Sequence, residues 1–404
     1  MEPRARRALA AVGVAVVLVA VVGATYLKPW QAWTLARAPA AAVRAAPPRA
    51  AASVQQLHFV SAAAGWVVTG GASSSTLFRT LDGGRRWQRQ LAGVAGGGWS
   101  LRFFDATHGV LYAADRRGPA LWRTGDGGQH WTRVTVPAPT QSRLIYFADR
   151  NHGWCVAATG AQPWGALIVD RQEVALFRTV DGGDSWSQVL RTDRQSADRG
   201  LDGDGVKTWI WFRDPYAGWI GQTTPGGHAV VYATTDGGDS WVRRELPLPA
   251  AGWGSPAAVV DDDAPTPLGT GSLAMVVASV VEGPNAGTFL LQNWYAYTWQ
   301  TPSWADPVRL PGPAFSVVGH TQGQRWWAAS GNTLLESDDA GNHWRAVGNG
   351  PAGRLFFRFD AVDPDHAWAL LLDPQSCRFG SPCVFSLGRT ADGGRHWTLV
   401  SAPA

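Results

Sequence analysis

Short runs in which apolar and polar residues alternate recur through most of the chain, and they come in a fixed order. Each set opens on a run carrying aromatic residues: Leu57-His-Phe59, Leu101-Arg-Phe-Phe104, Ile145-Tyr-Phe147, Trp209-Ile-Trp-Phe212 and Leu355-Phe-Phe357. A turn follows, then a second run that starts at Gly65-Trp66, Gly109, Gly153-Trp154, Gly218-Trp219 or Ala367-Trp368. A third run, such as Leu77-Phe-Arg79, Leu121-Trp-Arg123 or Leu176-Phe-Arg178, enters a glycine-rich turn. A fourth leaves it, as Trp131-Thr-Arg-Val134 does. Alternation with a period of two over such short stretches predicts β-strands. The pattern therefore predicts an all-β chain made of four-stranded units.

The glycine-rich turn reads Ser/Thr-x-Asp-x-Gly-x-x-Trp each time. It runs through Thr80, Asp82, Gly84 and Trp87, and then through Thr124, Asp126, Gly128 and Trp131. It returns at Thr179, Asp181, Gly183, Trp186 and at Thr234, Asp236, Gly238, Trp241. The last two copies are Ser337, Asp339, Gly341, Trp344 and Thr390, Asp392, Gly394, Trp397. The glycine supplies the positive φ of a tight hairpin turn. The carboxylate and the hydroxyl can bond to the amides of their own turn, and the Trp covers a sheet face. A carboxylate repeated with the unit marks stacked units, so these aspartates are expected to build turns and not to form a catalytic or metal-binding set.

This turn is the Asp-box, and the chain resembles the BNR-repeat β-propellers. The resemblance fits the spacing, since repeats of roughly 40 to 50 residues with turn-rich strands mark propeller blades. The interval from Asp236 to Asp339 is double the others, so a seventh unit with an eroded box is expected there. Thr288 to Trp299 fits the slot: aligned on Trp299, the box Asp falls on Trp294 and the Gly on Ala296. The expected fold is a seven-bladed propeller over residues 53–404.

In an up-and-down unit the box shares one face with the turn between the first two strands. Loops between the middle strands, and connections between units, fall on the other face. Insertions of unequal length are expected there, at Ala113 to Pro119, Gly160 to Val174, Leu190 to Val206, Ala250 to Gly271 and Leu372 to Cys383. Unequal loops on a regular scaffold are where recognition sits. They carry Arg116, Arg117, Trp164, Arg171, Arg191, Arg194, Arg199 and Arg378, residue types enriched at interface hot spots. Asp202-Gly-Asp204-Gly and Asp261-Asp262-Asp263 hold too few oxygen ligands for a calcium loop and are read as solvated loops, with no metal and no cofactor implied.

Charge changes the picture of partners. The formal net charge is +4, but residues 1–49 hold six Arg, one Lys and one Glu, so the remainder is slightly negative. The footprint of a nucleic-acid binder is missing from the globular part. Arg4, Arg6 and Arg7 precede an uncharged run from Ala8 to Leu27, long enough at about 1.5 Å per residue to cross a bilayer core. The flanking arginines predict an inside N-terminus and an extracytoplasmic propeller. A cleaved signal peptide, with Val22-Gly-Ala24 as cleavage site and a secreted product, is the alternative. Residues 28–52, with Pro47-Pro48, read as an Ala/Pro-rich linker. Cys377 and Cys383 are close enough in sequence for a small disulfide in an oxidising compartment, and Cys155 reads as a buried apolar residue.

Asp-box propellers include sialidases, which pair a tyrosine nucleophile with Glu. The segment nearest to their early Phe-Arg-Ile-Pro is Phe78-Arg79-Thr80-Leu81, which is the strand entering the first box. Tyr295 and Tyr297 are the late tyrosines, and neither has an evident Glu partner. The recurring unit Phe147…Gly153-Trp154…Thr179-Val-Asp181-Gly-Gly183-Asp-Ser-Trp186 makes residues 53–403 most similar to the Ycf48 family of photosystem II assembly factors. That resemblance implies a non-catalytic scaffold holding a protein partner on an arginine-bearing surface. A carbohydrate-active propeller is the alternative.

Overall fold

The computed structural model describes residues 53–403, apart from 71–74, 95–99, 116–117, 138–139, 141–143, 160–171, 194–196, 224–228, 248–256, 261–265, 269–271, 283–288, 301–302, 307, 310–317, 321–325, 340–341 and 378–382. Among the described residues the strands form seven antiparallel sheets. Six have four strands, at residues 54–94, 100–134, 145–191, 206–245, 318–349 and 355–400; the fifth along the chain, at 257–309, has six strand segments. We number the sheets one to seven in chain order. In every four-stranded sheet, sequence order is spatial order.

First strands meet across sheet boundaries. Val54–Phe59 touches Ser100–Phe103 and Leu355–Ala361, Ile145–Phe147 touches Val206–Phe212, and Val318–His320 touches Leu355–Ala361. They form the inner wall of a ring that closes where sheet seven meets sheet one. The closure uses side chains, since both sheets keep four strands of their own. Phe59 stacks on Trp368 with ring centroids 3.8 Å apart, and its amide donates to Asp360 Oδ2 at 2.8 Å. Phe385 N donates to Ser53 Oγ, and Trp87 Nε1 donates to the Ser401 carbonyl.

Burial follows the sequence pattern outward. Second strands such as Gly65–Gly70 and Gly153–Ala158 are buried along nearly their whole length, which is why they read as continuous apolar runs. Fourth strands such as Val242–Glu245 are mostly exposed and charged. The core lies between neighbouring sheets. Trp66, Val68 and Leu77 of sheet one pack on Phe103, Leu111 and Ala113 of sheet two, and the same kind of cluster joins sheet six to seven and seven to one.

Sheet five corrects the expected eroded box. Phe289–Gln300 is one unbroken strand, so Trp294, Ala296 and Trp299 lie within it and form no turn. Pairing with the following strand begins only at its end, with Gln300 opposite Ser303. The physical reason is local: the segment alternates aromatic residues and holds no glycine to take a positive φ, so it stays extended. The insertion expected at Ala250 to Gly271 also contains strands, Ala257–Val260 and Thr266–Leu268, both paired to Ser272–Glu282.

Candidate functional site

Each box is a closed hydrogen-bonded turn. At Thr179 the hydroxyl donates to Asp181 Oδ1 at 2.7 Å and accepts from Gly183 N at 2.9 Å. Asp181 Oδ1 then accepts from Ser185 N, and Oδ2 from Ser185 Oγ at 2.5 Å. Thr234, Asp236, Gly238 and Ser240 repeat the arrangement. In three of the other four boxes a histidine takes the serine's place: His130 Nδ1 lies 2.6 Å from Asp126, His343 Nδ1 2.5 Å from Asp339, and His396 Nδ1 2.6 Å from Asp392. Gly84 and Gly183 have φ of 93° and 94°, the left-handed region that the turn requires. Gly341 lies outside the described residues.

These bonds favour the ionised carboxylate. The His343 amide, and after it the ring, hold the Asp339 carboxyl at about 2. Partial burial pushes Asp392 upward, but the amide and ring of His396 outweigh it and also bring it to about 2. Asp82, Asp126, Asp181 and Asp236 are shifted downward as well. A carboxylate whose folded pKa lies below its unfolded value near 4 stabilises the fold above about pH 4 and loses that contribution as pH falls. Stability in urea should therefore be flat from neutral pH to about 5 and fall steeply between about 4 and 2. Asp339→Asn should take up about one proton fewer across that fall; an acid slope identical to that of the unmodified chain would rule out this source of acid sensitivity.

Two further motifs escaped the sequence reading. The turn after the first strand is an Asx-turn built by Asp105, Asp149, Asp214 or Asp363, with Ser61 in that place in sheet one. Its signal is Asp-x-x-His/Ala followed by Gly or Ala. The second motif is an arginine just before the box Thr, which reaches forward to the next sheet's box. Arg79 Nη1 donates to the Asp126 carbonyl at 3.4 Å, Arg123 to the Asp181 carbonyl at 3.1 Å and to the Asp184 carboxylate, and Arg178 to the Gly237 carbonyl at 3.2 Å. Arg389 lies against Gly83 in the same way. Sheet four precedes the sheet without a box and has Ala233 at this position.

The inner wall carries a distinct row of side chains, one residue before the aromatic that ends the strand. His58 Nε2 lies 2.9 Å from the Phe103 carbonyl, so it carries the proton, and Nδ1 faces Asp360 at 3.5 Å. The Arg102 guanidinium sits 4.6 Å over the Tyr146 ring, and Tyr146 lies 6.0 Å from Trp211. Burial pushes the Tyr146 phenol pKa up, against the pull of Arg102. A shallow cleft of about 350 Å³ between sheets two and three is lined by His108, Arg123, His130, Arg150 and Asn151. Its imidazoles are each held through Nδ1 by a turn carboxylate, Asp105 or Asp126. Among the described residues no group of three or more His, Cys, Asp or Glu is placed to hold a metal ion.

Of the arginines and Trp expected to bind, Arg191 and Arg199 are described, both exposed; Arg116, Arg117, Trp164, Arg171, Arg194 and Arg378 lie outside the described residues, as do Asp261 to Asp263 and the apolar run 8–27. Among the described residues no helix is long and apolar enough to cross a membrane. The strands flanking Arg116 and Arg117 pair out to Asp115 and Gly118, so most of the stretch expected as an insertion there is strand. Within the connection at 190–206, Gly203 stays beside Gln172 at the expected face, but Arg199 does not. The Arg199 carbonyl accepts from the amide of Trp241, the box Trp of sheet four. Ser401 meets Trp87 and Asn349 bridges to His396 in the same relation. Strand twist accumulates across each sheet, so an outer strand ends beside the next box and not on the far face. Cys377 and Cys383 are joined by a disulfide, with Cα atoms 4.4 Å apart, and Cys155 is free and buried.

Sheets that each pack on the next, with inner first strands and a closure from last to first, match a known class of solved structures. A Ycf48 bound to a D1 peptide aligns over 80% of this chain and 91% of its own, with a TM-score of 0.50 and 19% identity. The fold is a β-propeller. A polysaccharide lyase of family PL25, bound to a sugar fragment, gives a TM-score of 0.54 at 11% identity over 88% of this chain and 96% of its own. A puromycin-hydrolysing peptidase of Mycobacterium tuberculosis gives 0.53 at 12% identity over 87% of this chain, which spans about half of that protein (53%). No protein-family model and no curated protein matches the sequence. The propeller is thus shared with assembly factors, lyases and peptidases alike, and function rests on the sites.

Proposed function

We propose that the chain is a membrane-tethered, extracytoplasmic, seven-bladed propeller that acts as a non-catalytic scaffold for a protein partner. One observation carries this reading. The repeated carboxylates all bond to amides of their own turns, while exposed arginines such as Arg85, Arg89, Arg191 and Arg199 face solvent. The acids build the disc, and arginine is the type left for recognition. The seven sheets support the blade count, and the likeness to a Ycf48 holding a peptide agrees with a protein ligand. The Ala8 to Leu27 run supports the anchor.

The test is a pull-down from detergent-solubilised membranes of the source cell with residues 50–404 as bait. A second bait carries Arg116, Arg117, Arg191 and Arg194 changed to Glu. A protein retained by the first bait and lost with the second is expected; retention that ignores the four charges would sink the arginine reading. The inner wall favours one other reading. His58, Arg102, Tyr146 and Trp211 offer a base, a cation and aromatic platforms on first strands, the composition of a sugar subsite. Turnover in a glycosidase and polysaccharide-lyase screen, abolished by Tyr146→Phe, would establish it.

A further inference from the structure

Lys207 is the single lysine of residues 53–403, in a segment that otherwise uses arginine for every strongly basic position. It is also the one cation of the described residues whose side chain is wholly buried. Its three ammonium protons meet three neutral oxygens: Asp202 O and Asp204 O, each at 2.9 Å, and Gln222 Oε1. The Asp202 carboxylate stands 3.7 Å away, and the Tyr232 ring centroid 5.2 Å away. Two backbone carbonyls, an amide carbonyl and a carboxylate are the oxygens a hard metal ion recruits. The segment Asp202-Gly-Asp204-Gly is therefore not a solvated loop, as its sequence suggested. It folds around a cation that the chain itself supplies.

The cage is held from every side. Tyr232 Oη donates to Gln222 Oε1 at 3.1 Å, and Arg243 Nε lies 3.7 Å from the Asp202 carboxylate while pairing with Glu245. From sheet three, Gln172 N donates to the Gly203 carbonyl at 2.6 Å and Gln172 Oε1 accepts from Lys207 N at 2.9 Å. A Cβ at Gly203 would sit 2.5 Å from the Asp193 carbonyl, so the loop has no slack there. Burial drives the ammonium pKa down to about 8, opposed by the Asp202 and Asp204 charges. An arginine would bring a planar fork of five donors to a pocket that offers a point charge's worth of space. That accounts for a lysine at this position in a chain of arginines.

We propose that Lys207 is a built-in cation: its ammonium fills the carbonyl cage of residues 202–204 and latches the connection between sheets three and four, where a metal-dependent loop would need a free ion. The same connection holds Arg199 against Trp241 and ties Asp198 to the Arg191 amide. Lys207 is thus a positioning residue for Arg191 and Arg199, and the latch stands whether or not they bind a partner.

The test is hydrogen exchange of residues 198–206 in the full chain in detergent, with calcium, potassium or EDTA added. In the unmodified chain neither calcium nor EDTA is expected to change exchange there. Lys207→Met should speed exchange in this connection at least tenfold and leave sheets one and seven unchanged, and Lys207→Arg should not restore it. Lys207→Ala should regain slow exchange with propylammonium. Slow exchange in Lys207→Met, no rescue of Lys207→Ala by propylammonium, or a calcium effect on the unmodified chain would each overturn the latch. The last measurement decides even if the variants fail to fold.

Discussion

Trp154→Ala is expected to lower unfolding free energy by about 3–5 kcal/mol, the cost of truncating a buried aromatic whose site cannot collapse. Trp154 is fully buried, and it works across a sheet boundary. Its ring stacks on Phe212 of sheet four with centroids 3.5 Å apart, and its Nε1 donates to the Gly237 carbonyl in that sheet's box at 2.8 Å. The substitution removes apolar area, opens a cavity between sheets and strips the box carbonyl of its shorter donor, leaving Arg178 at 3.2 Å. Trp154→Phe separates these effects, since it keeps most of the stack and loses the donor, about 1 kcal/mol. Trp219 occupies the same strand position one sheet later, where the next sheet has no box and its Nε1 has no hydrogen-bond partner among the described residues. Trp219→Phe should therefore cost less than Trp154→Phe. Equal costs, or a Trp154→Ala urea midpoint close to that of the unmodified chain, would show that the Trp-to-box bond does not hold neighbouring blades together.

That contrast shows how far the sequence could be read. The boxes were legible because their chemistry is local: Thr179, Asp181, Gly183 and Ser185 find one another within seven residues. The four-strand order was legible for the same reason, through alternation and the turns that punctuate it. Arg79, Arg123 and Arg178 each precede a box Thr, so their signal was present, but their partners lie in the next sheet. Pattern reading along one unit does not see across to another. The slot at Trp294 and Ala296 was misplaced because period counting assumes that every third strand has the same length, whereas the one in sheet five runs to twelve residues.

The candidate site was less legible than the fold. Arg199 was assigned to the wrong face because the up-and-down rule treats a blade as flat, and twist carries the outer strand to the neighbouring box. Asp202 and Asp204 alone hold too few oxygens for a calcium loop, and in sequence that deficit reads as a solvated loop. The charge that completes the cage is Lys207, at the start of the next strand, and the third neutral oxygen comes from Gln222, another strand away. Ligand counting within a loop cannot find a cation carried by the chain.

Gly109→Ala is the second substitution expected to have a large effect, because the ring it would strike cannot move. A Cβ at Gly109 would lie 2.5 Å from Phe103 Cδ1 and Cε1, within a first-to-second strand pair where the two residues face each other directly. Phe103 is held on its other side by Trp66, stacked at 3.4 Å with an interplanar angle of 5°, and at its edge by Trp131 at 6.0 Å. Overpacking of a confined core costs about 1–3 kcal/mol, and the upper end is expected where the stacked neighbour, Trp66, is itself fully buried between sheets. Sheet seven supplies the internal control. There the second strand opens on Ala367, and the residue opposite it is Ala361 in place of Phe. The chain thus tolerates a methyl group where no ring faces it, and Ala367→Gly should change stability by little more than the backbone entropy of glycine, about 0.5–1 kcal/mol. Pairing Gly109→Ala with Phe103→Leu tests the cause, because neighbours in contact are non-additive. The double variant should be less destabilised than the sum of its singles. Additive costs would mean that Gly109 is needed for backbone freedom, and that the ring of Phe103 does not select glycine at the start of these strands.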